Sequence, residues 1–169
     1  MDHEKTNQTR EKIVLPLSII SPVDVSRVLR ELEAYIEYFH QNSIKQNNNS
    51  DLKLPKTSQL LDNILELNML DLTDEADRNT LKQFLEDVKS NSPVIHASFS
   101  VDPSVRFLEK LMAYLRKEIN QNLLLTIGLQ PNIGAGLAIR TKNKYFDFSL
   151  RKTLDASGDK LLQLIKEIK

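Results

Sequence analysis

His3, His40 and His96 are the chain's three imidazoles, the side chains most apt for acid–base work or metal ligation, and they stand far apart. None belongs to an H-E-x-x-H pattern, which would set two ligands and a base on one helix face. His96 alternates with small polar residues in VIHASFSV, the setting of a surface or partly covered imidazole. The acids of residues 71–77 have the look of a calcium loop. No glycine stands at mid-loop, however, and Lys82 occupies the place of the bidentate glutamate, so they read as a helix start. Gly134-Ala135-Gly136 lacks the third glycine of a dinucleotide fingerprint and leads into a strand instead of a helix. Neither a G-x-S-x-G nor a Walker pattern occurs. With no cysteine, thiolate nucleophiles, disulfides and Cys-ligated zinc are excluded. The expectation is a chain with no catalytic residues, no metal and no cofactor of its own.

Charge and hydropathy narrow the partners. Lys+Arg and Asp+Glu balance at 23 each, which gives no long-range pull toward nucleic acid or anionic lipid. The first twelve residues mix both signs of charge and contain no apolar core, unlike a secretory or organelle leader. The longest apolar run, residues 13–20, is broken by Pro16 and Ser18 and falls far short of the ~20 residues that span a bilayer. A cytoplasmic protein that meets a membrane only through partners is expected.

The elements that would position any site follow from periodicity. Residues 1–12 read as a disordered lead. Residues 13–20 are extended, with Pro16 confining any strand to an edge. Ser21-Pro22-Val23-Asp24 starts a helix, because serine caps it, proline suits its first position and the acid suits the dipole. Val25, Val28, Leu29, Leu32, Ile36 and Phe39 form its apolar stripe, and it should end near His40. The Asn-rich stretch 41–53 carries too little apolar surface to order itself and reads as a flexible loop. Thr57 or Ser58 caps a second helix carrying Leu60, Leu61, Ile64, Leu65 and Leu67, and Thr73 caps a third with Leu81, Phe84, Leu85 and Val88.

From Val94 the period changes to two. Ile95, Ala97, Phe99 and Val101 share one strand face. Asp102-Pro103 opens a helix whose stripe is Val105, Leu108, Leu111, Met112, Leu115 and Ile119. A second strand carries Leu123, Leu125, Ile127 and Leu129, and residues 136–141 and 144–148 form a hairpin around Lys142-Asn143. A last helix carries the stripe Leu161, Leu164, Ile165 and Ile168. The expected class is α+β: a helical region over 13–92, a strand–helix–strand–hairpin module over 93–152, and a terminal amphipathic helix over 153–169.

One stretch is more specific. In LQPNIGAGLAIRTKNKYFDFSLR, from Leu129 to Arg151, the residues Pro131, Gly136, Arg140, Lys144, Asp147, Ser149 and Arg151 fall without a gap on the pattern D-P-S-x-I-G-G-hydrophobic-x-hydrophobic-R-x-G-D-K-x-x-D-G-S-x-R. That pattern is the carboxy-terminal signature of the delta (oligomycin-sensitivity-conferring) subunits of F-type ATP synthases, which the chain resembles over about 93–152. The sequence departs from it at Phe148, at Lys142-Asn143 and at Ala135, and its helical half is shorter than the family's bundle.

The resemblance implies a non-catalytic peripheral-stalk subunit that supports proton-driven ATP synthesis. It would link the catalytic head, through alpha-type subunits, to b-type stalk helices at the inner face of the cell membrane, without inserting into the bilayer. It also implies signature roles for Pro131, Gly136, Arg140, Asp147 and Arg151. The stripe Leu161, Leu164, Ile165 and Ile168 suits a helix contact. An alternative is a free-standing adaptor or RNA-associated module, for which Tyr145, Phe146 and Phe148 beside basic residues would supply stacking surface.

Overall fold

The computed structural model describes residues 12–44, 55–133, 136–141 and 143–149. Residues 1–11 of the expected lead, most of the Asn-rich loop, Ala135, Lys142, Arg151 and the terminal helix expected to carry Leu161, Leu164, Ile165 and Ile168 lie outside them.

Helix α1 runs Pro22–Ile44, four residues past the expected end at His40. Its start is reciprocal: Ser21 Oγ accepts from the Asp24 N–H at 3.2 Å, and Asp24 Oδ2 accepts from the Ser21 N–H at 2.9 Å. Helix α2, Gln59–Asn68, is capped by Ser58 and ends on Met69 in the left-handed region at φ 51°. Helix α3, Glu75–Asn91, takes Asp74 as its cap, one residue beyond the expected Thr73. The three helices bury Val25, Val28, Leu32, Leu61, Ile64, Leu81 and Leu85 in one core. Leu67, expected on the α2 stripe, is 52 % exposed.

Strand β1, Val94–Phe99, is followed by helix α4, Val105–Glu118, and strand β2, Leu124–Leu129. After a 3-10 turn at Pro131–Ile133 come β3, Gly136–Arg140, and β4, Tyr145–Ser149. The sheet order is β2-β1-β3-β4, with β1 and β2 parallel and the other pairs antiparallel. The α+β class and the strand–helix–strand–hairpin succession are therefore as the sequence predicts. Thr141 closes the hairpin, its N–H donating to the Lys144 carbonyl at 2.8 Å and its Oγ1 accepting from the Lys144 N–H at 3.0 Å.

Helix α4 covers one sheet face, where Ile95, Ala97, Phe99 and Leu125 meet Leu108, Met112 and Leu115. Val101 and Ile119 lie just beyond β1 and α4, Val105 is the first residue of α4, and all three, expected in this core, are exposed. Residues 13–20 form no strand; a turn with the Ile19 N–H on the Pro16 carbonyl interrupts them. They run instead as an irregular strap between the helices and the sheet. The division at residues 92 and 93 is crossed at β2. Leu123 and Leu125 belong to the sheet core, while Leu124 between them belongs to the helical core. Opposite faces of one strand thus anchor both cores, as its period of two requires.

Candidate functional site

The joint between the cores is built around Arg116, which sits on α4 one turn after Met112 and is 7 % exposed. Its Nε donates to the Leu123 carbonyl at 3.2 Å. Its Nη1 donates to the carbonyls of Leu15 at 2.9 Å and Pro16 at 2.8 Å, and its Nη2 donates to that of Ile19. Main-chain oxygens from the strap and the β2 approach therefore satisfy the guanidinium, and these acceptors include no carboxylate. Burial pushes its pKa down to about 10, so it is still charged at neutral pH.

The strap is held from its other side by α2. Asn68 accepts from the Val14 N–H at 2.7 Å and donates to the Val14 carbonyl at 3.0 Å, and Asn63 donates to Ser18 Oγ at 3.0 Å. The Ile20 carbonyl accepts from the Leu125 N–H at 2.8 Å, continuing the strap onto the β2 edge. Between α2, the strap and the end of α4 lies a groove of about 930 Å³, bordered by Leu17, Ser18, Asn63, Leu67, Ala113 and Lys117. It offers apolar area with a few amides and charges, a surface for recognition, and it assembles no nucleophile with a base.

A second buried arginine locks the helical core. Arg78, 8 % exposed, donates to the carbonyls of Leu72 at 2.7 Å and Thr73 at 2.9 Å and lies 4.4 Å from the centre of the Phe39 ring. Neither arginine was picked out by sequence reasoning. The signal for Arg116 was its place in register with Leu108 and Met112, where a charge interrupts an apolar stripe.

The signature residues separate into three places. Pro131 opens the 3-10 turn and is exposed. Gly136 begins β3 with φ 112°, a backbone conformation that L side chains rarely adopt, and is exposed. Arg140 pairs with Tyr145 and Ala138 with Asp147, which puts Arg140 and Asp147 on the sheet face away from α4, beside His96 and Ser98. On the α4 face Phe146 and Phe148 stack at 6.3 Å and stay 43 % and 59 % exposed. Helix α4 spans the middle of the sheet and leaves the β4 edge uncovered by any described residue.

Among the described residues no three of His, Cys, Asp and Glu gather as a metal set, and no helix is long and apolar enough to cross a membrane. No protein-family model and no curated protein matches the chain.

Proposed function

We propose that this chain is a non-catalytic, delta-type peripheral-stalk subunit of a bacterial F-type ATP synthase. It would join the alpha-type subunits of the head to the b-type stalk helices at the inner face of the membrane. The observation that carries this reading is the placement of the signature on a β1-α4-β2-β3-β4 module, with Gly136 at positive φ where β3 begins and Arg140 and Asp147 on one face of the hairpin.

The joint supports the same reading. A stator transmits torque between two attachments, so its two halves must not rotate against each other. Here Arg116, the strap and the start of β2, where Leu124 and Leu125 are buried on opposite faces, tie the helical half to the sheet half. Exposed apolar side chains at the groove (Leu17, Leu67) and on β4 (Phe146, Phe148) offer two attachment surfaces. Leu161, Leu164, Ile165 and Ile168 enter as stalk contacts on their sequence pattern alone.

The test is affinity purification of the tagged full chain from its own cells. Head and b-type subunits should come with it, and Leu164→Asp with Ile165→Asp should lose the b-type subunits while retaining the fold. Recovery of neither synthase part would sink the reading. A second reading, an RNA-associated module, draws on exposed Tyr145, Phe146 and Phe148 near Lys144. Binding of RNA that weakens steeply with salt would favour it, since phosphate contacts release counterions.

A further inference from the structure

We infer that the sheet face away from α4 carries an oxyanion site, built by His96 and Arg140, for a phosphate group. It goes beyond the stalk reading and does not depend on it. His96 and Arg140 are directly opposed in the antiparallel β1–β3 pair, so their side chains leave the same face as neighbours. With Val94 and Thr141 they line a hollow of about 250 Å³. Among the described residues neither side chain makes a hydrogen bond or ion pair. Both side chains therefore keep N–H groups free to donate to an anion placed between them.

The chemistry of the walls sets the class of ligand. A guanidinium presents two parallel N–H bonds to a tetrahedral oxyanion, and an imidazole N–H adds a third from the adjoining strand. Thr141 shapes the wall without serving as a ligand, because its hydroxyl donates to the Lys144 carbonyl at 3.1 Å and accepts from the Lys144 N–H at 3.0 Å. Tyr145, across from Arg140 on β4 and 61 % exposed, extends the donor row by one strand. Asp147 is the carboxylate on this face, one diagonal step from Arg140, and it has an interaction of its own. The hollow is smaller than the ~300–1,000 Å³ of sites that enclose drug-sized ligands, so it fits a phosphate or diphosphate group, and any larger remainder stays outside.

A free phosphate and a lipid headgroup both carry this group, and one experiment with two arms separates them. In the first arm the isotopically labelled full chain is titrated with inorganic phosphate and pyrophosphate against sodium chloride of equal ionic strength, reading amide shifts. In the second, the chain is sedimented with phosphatidylglycerol and with phosphatidylcholine vesicles. Saturable shifts centred on His96, Arg140 and Thr141 assign a free phosphate. Sedimentation with phosphatidylglycerol only, in the absence of such shifts, assigns a headgroup. In either case Arg140→Gln and His96→Gln should each weaken binding about tenfold, as loss of a bond to a charged group does. Both residues are exposed, so the variants should melt with the wild type. Absence of saturation in both arms, equal shifts with chloride, or undiminished binding by both variants overturns the site.

Discussion

The guanidinium of Arg116 and the carbonyl of Leu15 are 101 residues apart in sequence and 2.9 Å apart in the fold. This bond, with those to Pro16, Ile19 and Leu123, draws the start of the described chain onto the end of α4. A buried charge is tolerated only when its donors are met, and here peptide oxygens meet them. The strap gains in return a fixed path between two cores that it would otherwise merely connect.

Arg116→Met should therefore cost at least about 2 kcal/mol, because several buried carbonyls lose their donor at once. Arg116→Lys should recover only part of that, since an ammonium on a single stem cannot span acceptors on both sides as the planar fork does. Urea midpoints at constant m-value would measure both. A wild-type midpoint for Arg116→Met would show that the joint contributes nothing to stability.

Leu124 links the cores from the strand side. Leu124→Ala should lower stability by about 2–5 kcal/mol, the range for a buried leucine. The helices and the sheet should also unfold in one transition. Amide probes on α1 and on β1 should give the same midpoint. Two separated midpoints would mean that the halves are independent.

Tyr35 predicts a pH dependence. Burial, aided by Tyr38 and opposed by Arg78, holds its hydroxyl above the ordinary value of 10.0. The unfolded chain then ionises at 10.0 while the folded chain still keeps its proton. This contribution is complete below pH 10 and is lost as pH rises through the folded value. The stability difference between wild type and Tyr35→Phe should be flat up to about pH 10 and then shift against the wild type. A flat difference at higher pH would contradict the assignment.

Gly136 and Gly128 form a matched pair. At φ 112° any L side chain is strained, so Gly136→Ala and Gly136→Val should both cost about 1–3 kcal/mol. At Gly128 an added Cβ would meet Ser98 Oγ at 3.6 Å, an ordinary contact, so Gly128→Ala should be near neutral. If Gly136→Ala proves harmless and only valine costs stability, crowding is the cause and not conformation.

What the sequence made legible was whatever local chemistry decides. The reciprocal start at Ser21 and Asp24, the alternation of Ile95, Ala97 and Phe99, and the hairpin closing at Thr141 all depend on neighbours within a few residues. The joint was not legible, because it needs Leu15 beside Arg116, and periodicity says nothing about which distant carbonyls surround a buried charge. Reading residues 13–20 as an extended edge failed for the same reason: Val14, Ser18 and Pro16 are held by the side chains of Asn68, Asn63 and Arg116, and it is at the end of the strap that the Ile20 carbonyl meets a strand N–H, that of Leu125. Alternation placed Leu123, Leu125, Ile127 and Leu129 on one face of the second strand and gave no role to Leu124. It is buried because the helical core lies there, a fact of tertiary arrangement.

The central claim is that this chain couples two parts of a synthase and performs no chemistry itself. Membrane vesicles prepared with and without it should be compared for ATP hydrolysis by the detached head and for proton-driven ATP synthesis by the intact assembly. Hydrolysis should be equal in both, while synthesis should collapse without the chain and return when the purified full chain is added back. Undiminished synthesis in its absence, or turnover of any substrate by the partner-free protein, would contradict the account.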